Sequence, residues 1–381
     1  MSEAINREVD VATDDDGVVR GDVLLLLIVA VLSCFGLLMI QSSTTLLADR
    51  RFHDAYRFVI RQMAGMGVGL AGVFVMLNMS IANLRRVALP VYLLTIVLLA
   101  LVMSPLGHEV NGATRWIRLG SINFQPSEVA KLSLVLALSH FLASNEGRLK
   151  DLVGVAVPAL GCMMMLVFWV VLQRDFGTTV ILLGITSTLL FVAGLQIRYL
   201  VAGGAFAALG LVGLIVIEPF RMRRLASFLD PFADAQGAGY QVVQGFIALA
   251  NGGFAGSGFA TGVAQRGFLP EAHTDFIIAV IGEEFGMLGW LFTVLLIVGL
   301  VWRCMVVAER SQDMFSTLVA SGVGVLFGCQ AIINVGVVAG ALPAKGLVLP
   351  FLSYGASAAV VNMLAVGLVY RISRETPRGV S

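Results

Sequence analysis

Residues 268–284 read Phe-Leu-Pro-Glu-Ala-His-Thr-Asp-Phe-Ile-Ile-Ala-Val-Ile-Gly-Glu-Glu. A polar segment, Pro270 to Asp275, runs directly into an apolar stretch that continues to residue 307. At about 1.5 Å rise per residue, that stretch exceeds the roughly 30 Å of a bilayer's hydrocarbon core. It reads as a membrane helix that tilts or projects, with the polar segment at its watery end. Glu283 and Glu284 fall inside the helix, where ionisable groups are costly and rarely idle. On an ideal helix Glu283 lies about 80° round from Asp275 and Glu284 on the opposite face, so neither pairs with it. Asp275 itself permits two readings. An Asp just before a helix is commonly an N-cap, its carboxylate accepting from free backbone N–H groups. The same carboxylate beside a low-dielectric cavity is a candidate functional acid.

The rest of the composition agrees with a membrane setting. Of 381 residues, 58% are hydrophobic and only 13% charged, with mean hydropathy +0.91. Soluble domains carry about 25% charge, so the chain reads as polytopic. A formal net charge of +1 offers no bulk attraction for nucleic acid. Cys34, Cys162, Cys304 and Cys329 all fall in apolar runs without C-x-x-C spacing, which indicates neither a disulfide framework nor a zinc site. The start is acidic (Glu8, Asp10, Asp14 to Asp16) and carries no signal-peptide pattern. Residues 1–20 read as a disordered cytoplasmic tail.

Ten apolar runs near spanning length follow, at 22–43, 59–79, 86–104, 127–143, 152–172, 177–195, 199–217, 276–307, 314–336 and 353–372. The fold class expected is an all-α polytopic membrane protein: a membrane domain over 21–372, a long extracytoplasmic loop at 218–275 and a cytoplasmic tail at 373–381. Basic residues on the side of the termini, Arg85, Arg86, Arg148, Lys150, Arg198, Arg310, Arg371, Arg374 and Arg378, place both ends inside. The outer side is also basic, with Arg50, Arg51, Arg57, Arg61, Arg115, Arg118, Arg174, Arg221, Arg223, Arg224, Arg266 and Lys345. An anionic partner such as a phosphate ester accounts for that excess. Ordinary pairing with Asp49, Asp54, Glu109 and lipid headgroups accounts for it as well.

Three outer loops are long: 105–126 and 337–352, neither with obvious regular structure, and 218–275. In the third, Arg221 to Leu229 is amphipathic and suits the interface, and Tyr240 to Ala250 reads as a short helix. Asn251-Gly-Gly-Phe-Ala-Gly-Ser-Gly-Phe-Ala-Thr-Gly262 either approaches a ligand or acts as a hinge. It lacks P-loop spacing, which disfavours nucleotide binding. No H-E-x-x-H occurs among His53, His108, His140 and His273, which disfavours catalytic zinc. Glu128 and Lys131, three apart on one helical face, read as an orienting ion pair or as substrate contacts. Asp175 lies at a turn, where a cap explains it equally well. Arg61 either snorkels or reaches the cavity. Lys345, between Pro343 and Pro350, is held to face a phosphate or is simply solvated.

Five ordered blocks carry a resemblance: Arg115-Trp-Ile with Gln125-Pro-Ser-Glu128-x-x-Lys131; Asp175-Phe-Gly177; Gly239-Tyr-Gln241; Leu269-Pro-Glu-Ala-His-Thr-Asp275-Phe; and Lys345-Gly-Leu-Val-Leu-Pro-Phe-Leu-Ser-Tyr-Gly355. Together they resemble the SEDS proteins (shape, elongation, division, sporulation) over nearly the whole chain after the acidic tail. Pro270-Glu-Ala-His with Lys345-Gly is more similar to the division-type than the elongation-type member. Two positions depart from the family pattern. Ala356 stands where a second glycine is usual, and Arg174 where a proline is often found.

The resemblance implies a peptidoglycan glycosyltransferase that polymerises lipid II into β-1,4-linked strands at the outer face of the bacterial inner membrane, at the septum. It implies that Asp275 is the essential acid, with Glu128 and Lys131 matching a functional pair. Arg61, Arg115, Asp175, His273, Lys345 and Ser353 are further candidates for the substrate cavity. A divalent cation (Mg or Mn) is implied too, with no site evident in the sequence. The implied partners are a class B penicillin-binding protein transpeptidase of the FtsI type and other division-complex membrane proteins. In the implied chemistry Asp275 takes the acceptor hydroxyl's proton and a single displacement inverts the donor linkage. Burial raises the pKa of such a base and a helix N-terminus lowers it; the sequence leaves that balance open. A lipid II flippase and a scaffold for division partners are the rival classes. The polar residues gather on one face rather than at midplane, which weighs against transport.

Overall fold

A computed structural model of the chain describes residues 21–375, apart from 111, 121, 150, 218, 238 and 263–266. The expected acidic tail at 1–20, the end of the tail at 373–381, Lys150, Arg266 and Arg378 lie outside the described residues. The described residues form twelve α-helices and one small sheet.

Helix α1 (Val23–Phe52) opens on Asp22, whose carboxylate accepts from the Leu25 N–H at 2.9 Å. It runs well past residue 43, where the apolar run was expected to stop. Its polar residues there bond back along the helix: Ser43 Oγ donates to the Met39 carbonyl and Thr44 Oγ1 to that of Ile40. Helix α2 (Arg57–Leu77) and α3 (Ile81–Val102) follow. Helix α2 packs on α12 (Ala356–Ser373) through small residues. A Cβ at Gly65 would come 2.8 Å from the Ala356 carbonyl, and one at Gly69 would come 2.6 Å from Met363 Cβ. Such small-residue contacts let membrane helices approach closely.

The 105–126 loop was expected to lack regular structure. Instead it folds as an antiparallel sheet, β1 (Gly107–Val110), β2 (Ala113–Leu119) and β3 (Ile122–Phe124). Val110 pairs with Ala113 across the hairpin, and Gly112 has φ +76°. The sequence Asn-Gly is a strong hairpin signal, because the favoured two-residue turn suits these residue types. Ile117 pairs with Gly107 on one side and Phe124 on the other.

Helix α4 (Pro126–Ser144) is buried along most of its length and forms the centre of the bundle. Around it stand α5 (Val157–Leu172), α6 (Phe176–Val192) and α11 (Met314–Val338). Helix α7 (Ile197–Ile217) is followed by α8 (Pro219–Leu229) and α9 (Tyr240–Gly252), the two short helices of the long loop. Among the described residues, eight helices are long and apolar enough to cross a membrane, and two shorter apolar ones cover Phe176–Val192 and Ile197–Gly213.

The largest difference from the sequence reading concerns α10 (Ile277–Arg310), expected as one continuous helix. It breaks at Gly286, where φ is +65° and ψ −160°. In an unbroken helix the carbonyls of Glu283 and Glu284 would accept from residues 287 and 288. Here they accept from Ser257 and Gly258 at 2.9 and 3.0 Å. The freed amides of Met287 and Leu288 donate to Gly253 and Phe254 at 3.0 and 3.4 Å. The glycine-rich segment thus supplies partners for both of these carbonyls and both of these amides. A Cβ at Gly256, where φ is +89°, would overlap the Glu284 carbonyl. Gly253, Gly256 and Gly258 serve backbone contact with α10.

Candidate active site

The segment before α10 is a tight turn built on Glu271, which adopts φ +51°. Its carbonyl accepts from the amides of Thr274, Asp275 and Phe276 at 3.1, 3.1 and 3.4 Å. Leu269, Ala272 and Phe276 anchor the turn in the core. The N-cap of α10 is Phe276, with no side-chain cap bond, so the Asp275 carboxylate is not spent on capping. Asp175 does cap: it accepts from the Thr178 N–H at 3.1 Å, from Thr178 Oγ1 at 2.9 Å and from Ser127 Oγ at 3.2 Å. It thereby ties α6 to α4.

The Asp275 turn is joined to the 339–355 segment at two points. Asn334 Nδ2 donates both to the Asp275 carbonyl at 3.0 Å and to the Leu347 carbonyl at 2.7 Å. The Tyr354 N–H donates to the His273 carbonyl at 2.8 Å. The Gly346 backbone comes so near that a Cβ there would sit 3.0 Å from Asp275 Oδ2. The His273 ring lies between Phe58 and Tyr354, with centroids 5.2 and 5.7 Å away.

Asp275 lines a cavity of about 1230 Å³. Of the other candidates, Arg61, Arg115, Asp175, His273 and Lys345 line it as well. So do Arg174, Arg224 and Glu271, which the sequence reading did not single out as site residues. Arg174 signalled itself as a family departure. It adopts φ +59°, donates to the Gly112 carbonyl at 3.2 Å, and its own carbonyl accepts from Arg115 Nη2 at 2.5 Å. Arg224 belongs to the amphipathic α8, and its Nη1 donates to the Ala344 carbonyl at 3.3 Å. The Lys345 ammonium lies 5.4 Å from the centre of the Phe176 ring.

Glu128, Lys131 and Ser353 do not line this cavity. Lys131 donates to Glu128 Oε2 at 2.7 Å in the protein interior, while α4 turns Val129, Leu132, Ser133 and Leu136 to the cavity. Ser353 Oγ accepts from the Leu349 N–H at 2.9 Å, and its carbonyl accepts from Gln62 Nε2 at 3.3 Å. Glu284 is also elsewhere, accepting from Ser42 Oγ at 2.6 Å and the Ala260 N–H at 3.3 Å.

Burial pushes the Asp275 carboxyl up to about 7, and the nearby Glu271 charge adds to the rise. Arg224, Arg115 and a Thr274 hydrogen bond oppose it without cancelling it. Desolvation therefore wins the contest that the sequence left open. Burial lowers the His273 pKa, against an opposing pull from Glu271. Among the described residues, no group of three or more His, Cys, Asp or Glu side chains is placed to hold a metal.

The cavity changes character along its length. Its charged residues come from loops, from β2, from α8 and from the first turns of α2, whereas Val87, Leu132, Leu136, Leu364 and Leu368 come from within the long helices. Comparison with known proteins fits this arrangement. A family described as cell cycle protein, covering FtsW, RodA and SpoVE, matches residues 22–378. The chain belongs to the FtsW/RodA/SpoVE family. Its relatives include a Geobacter protein named probable peptidoglycan glycosyltransferase FtsW, 36% identical over 92% of this chain and 96% of its own length. The stage V sporulation protein E of Bacillus subtilis is 34% identical over 93% of this chain and 97% of its own. A chain in a solved peptidoglycan synthase complex, described as coordinating polymerization and crosslinking, is 31% identical with TM-score 0.77, over 93% and 98% of the two chains. RodA from Thermus thermophilus is 28% identical with TM-score 0.70, over 93% and 97%. Membership explains the agreement of five sequence blocks with one fold, and most of their charged residues meet in one FtsW/RodA/SpoVE-type cavity.

Proposed function

We infer that the chain is a peptidoglycan glycosyltransferase of the bacterial inner membrane, which polymerises lipid II with Asp275 as general base. The observation that carries the reading is one desolvated carboxylate, at about 7, in a cavity ringed by cations. A base tuned near the working pH takes a hydroxyl proton most effectively. Asp275 would accept the proton of the acceptor sugar hydroxyl as that oxygen attacks the anomeric carbon. The donor bond to pyrophosphate breaks in the same displacement, which inverts the α-linkage to β. Arg115, Arg224, Arg61 and Lys345, which line the same cavity, would take up the charge that grows on the leaving pyrophosphate. The apolar length of the cavity suits the polyisoprenyl chain. Charged groups gathered from loops, β2, α8 and the first turns of α2, with apolar residues from within the long helices, favour a polymerase working at one membrane face over a transporter with a midplane site.

Magnesium or manganese fits the same end. Mg²⁺ is commonly held by one or two carboxylates together with substrate phosphates. Glu271, which lines the same cavity, would supply a carboxylate and leave Asp275 to take the proton, and the ion would offset pyrophosphate charge.

The topology proposed is ten spans with both termini inside. The two shorter helices complete the set, since 17 residues rise about 26 Å and a slightly thinned bilayer accommodates that. The partner proposed is a class B penicillin-binding protein of the FtsI type, at the division septum. The full chain purified with that partner should convert lipid II to glycan strands on a gel. Asp275→Asn should lower the rate by roughly 10²–10⁴-fold. A folded Asn variant that polymerises normally would sink the assignment.

A further inference from the structure

A smaller cavity of about 240 Å³ adjoins the main one and shares Arg224 and Ala344 with it as a common wall. One hydrogen bond holds the shared wall together and a second ties the lining to the turn that carries Asp275. Arg224 Nη1 donates to the Ala344 carbonyl, and Gln241 Nε2 donates to the Pro270 carbonyl, each at 3.3 Å. Pro270 begins the turn that carries Asp275. Pockets for drug-sized ligands start at about 300 Å³, so this one takes a single ring and not a lipid-linked disaccharide-pentapeptide.

The lining is mixed in a telling way. Val242, Phe246 and Leu342 give apolar and aromatic surface, while Ser227, Gln241 and Arg224 give a hydroxyl, an amide and a guanidinium. A bare phosphate has no use for the apolar part, and an acyl chain has none for the polar part. A pyranose presents C–H groups on its faces and hydroxyls round its rim, and an acetamido substituent adds a methyl and an amide. Binding sites of this kind combine apolar area with a few placed polar groups.

We propose that the smaller cavity is a saccharide subsite. It holds one N-acetylhexosamine ring of the glycan while the neighbouring ring lies at Asp275. The assignment rests on the glycosyltransferase reading above. It gives the enzyme a grip on sugar separate from its grip on pyrophosphate, so the glycan is aligned by its rings as well as by its lipid anchor.

The test uses the full chain in nanodiscs, with soluble GlcNAc–MurNAc disaccharide as probe and saturation-transfer NMR as readout. Gln241→Ala should weaken disaccharide binding about tenfold, as loss of one hydrogen-bonding group does. Val242→Phe, which fills the cavity, should abolish it. Both variants should bind undecaprenyl pyrophosphate like wild type, which also shows that they fold. Lipid II polymerisation by the wild-type chain with its transpeptidase is measured alongside. If wild type polymerises lipid II but the disaccharide binds all three proteins alike, or none, the subsite is wrong and the glycosyltransferase reading stands. If wild type cannot polymerise lipid II, the glycosyltransferase reading falls and the subsite with it.

Discussion

Asp275→Asn should cost activity and add stability, and the two effects should part along the pH axis. The folded protein holds this carboxyl at about 7 against an ordinary value of 3.8. Each unit of difference is worth about 1.36 kcal/mol, so ionising Asp275 costs the folded state about 4 kcal/mol as an order of magnitude. The folded pKa lies above the unfolded one, so the folded state binds more protons between the two values. Stability therefore rises as pH falls from 7 towards 3.8, and the full penalty is present above pH 7. Asn keeps the shape and removes the charge. In thermal melts of purified protein in detergent, the variant should melt higher than wild type at pH 8 and approach it near pH 4. Catalysis needs the ionised form, so the wild-type polymerisation rate should fall about tenfold per unit below pH 7. An exposed aspartate would keep its activity down to about pH 5. An Asn variant that melts lower than wild type at pH 8, or a rate flat between pH 7 and 5, would refute the desolvated-base account.

Glu271→Gln removes a charge that helps hold Asp275 up, so the acid limb of the pH–rate profile should move to lower pH; an unmoved limb contradicts the coupling. Asn334→Ala deletes both bonds that join the Asp275 turn to the Leu347 segment, and should lower kcat more than it raises KM, since the base loses its alignment while lipid contacts remain. Lys131→Met strands a buried carboxylate and should destabilise by about 3–5 kcal/mol, whereas pairing it with Glu128→Leu should recover most of the loss in the same melts. Gly256→Ala drives a methyl into the Glu284 carbonyl at positive φ, and should lower the melting temperature steeply or prevent folding.

Helical content was legible because apolar runs near bilayer length have few alternatives. Asp275 was legible as a position, but its competing reading as a cap needed geometry to resolve. Phe276 takes the cap position, and Asp175, equally open in the sequence, proves to be the capping residue. The hairpin at 107–119 carried its signal in the sequence Asn111-Gly112, a dipeptide that favours tight turns between strands. The break at Gly286 carried no such signal. A glycine inside an apolar run is common in membrane helices, and only the docking of residues 253–258 shows that this one leaves the helical region. Arg224 was hidden for another reason: its path to Asp275 depends on how α8 folds back over the 340–344 segment. Glu128 and Lys131 gave the right pairing but could not disclose which face of α4 meets the cavity.

The docking of residues 253–258 into α10 has a consequence for biogenesis. The chain emerges N-terminus first, so the glycine-rich segment is translocated before the helix that will receive it. Its donors and acceptors stay in water until α10 inserts and opens its turn at Gly286. The broken turn, in turn, has no lipid-compatible state without that segment, because unpaired backbone groups in hydrocarbon cost several kcal/mol each. Each half therefore completes the other in one late step, nine residues into α10 from Ile277 or about 14 Å along the helix. A nascent chain cannot present a finished catalytic end until this splice closes, so maturation of the enzyme waits on the last third of its own synthesis.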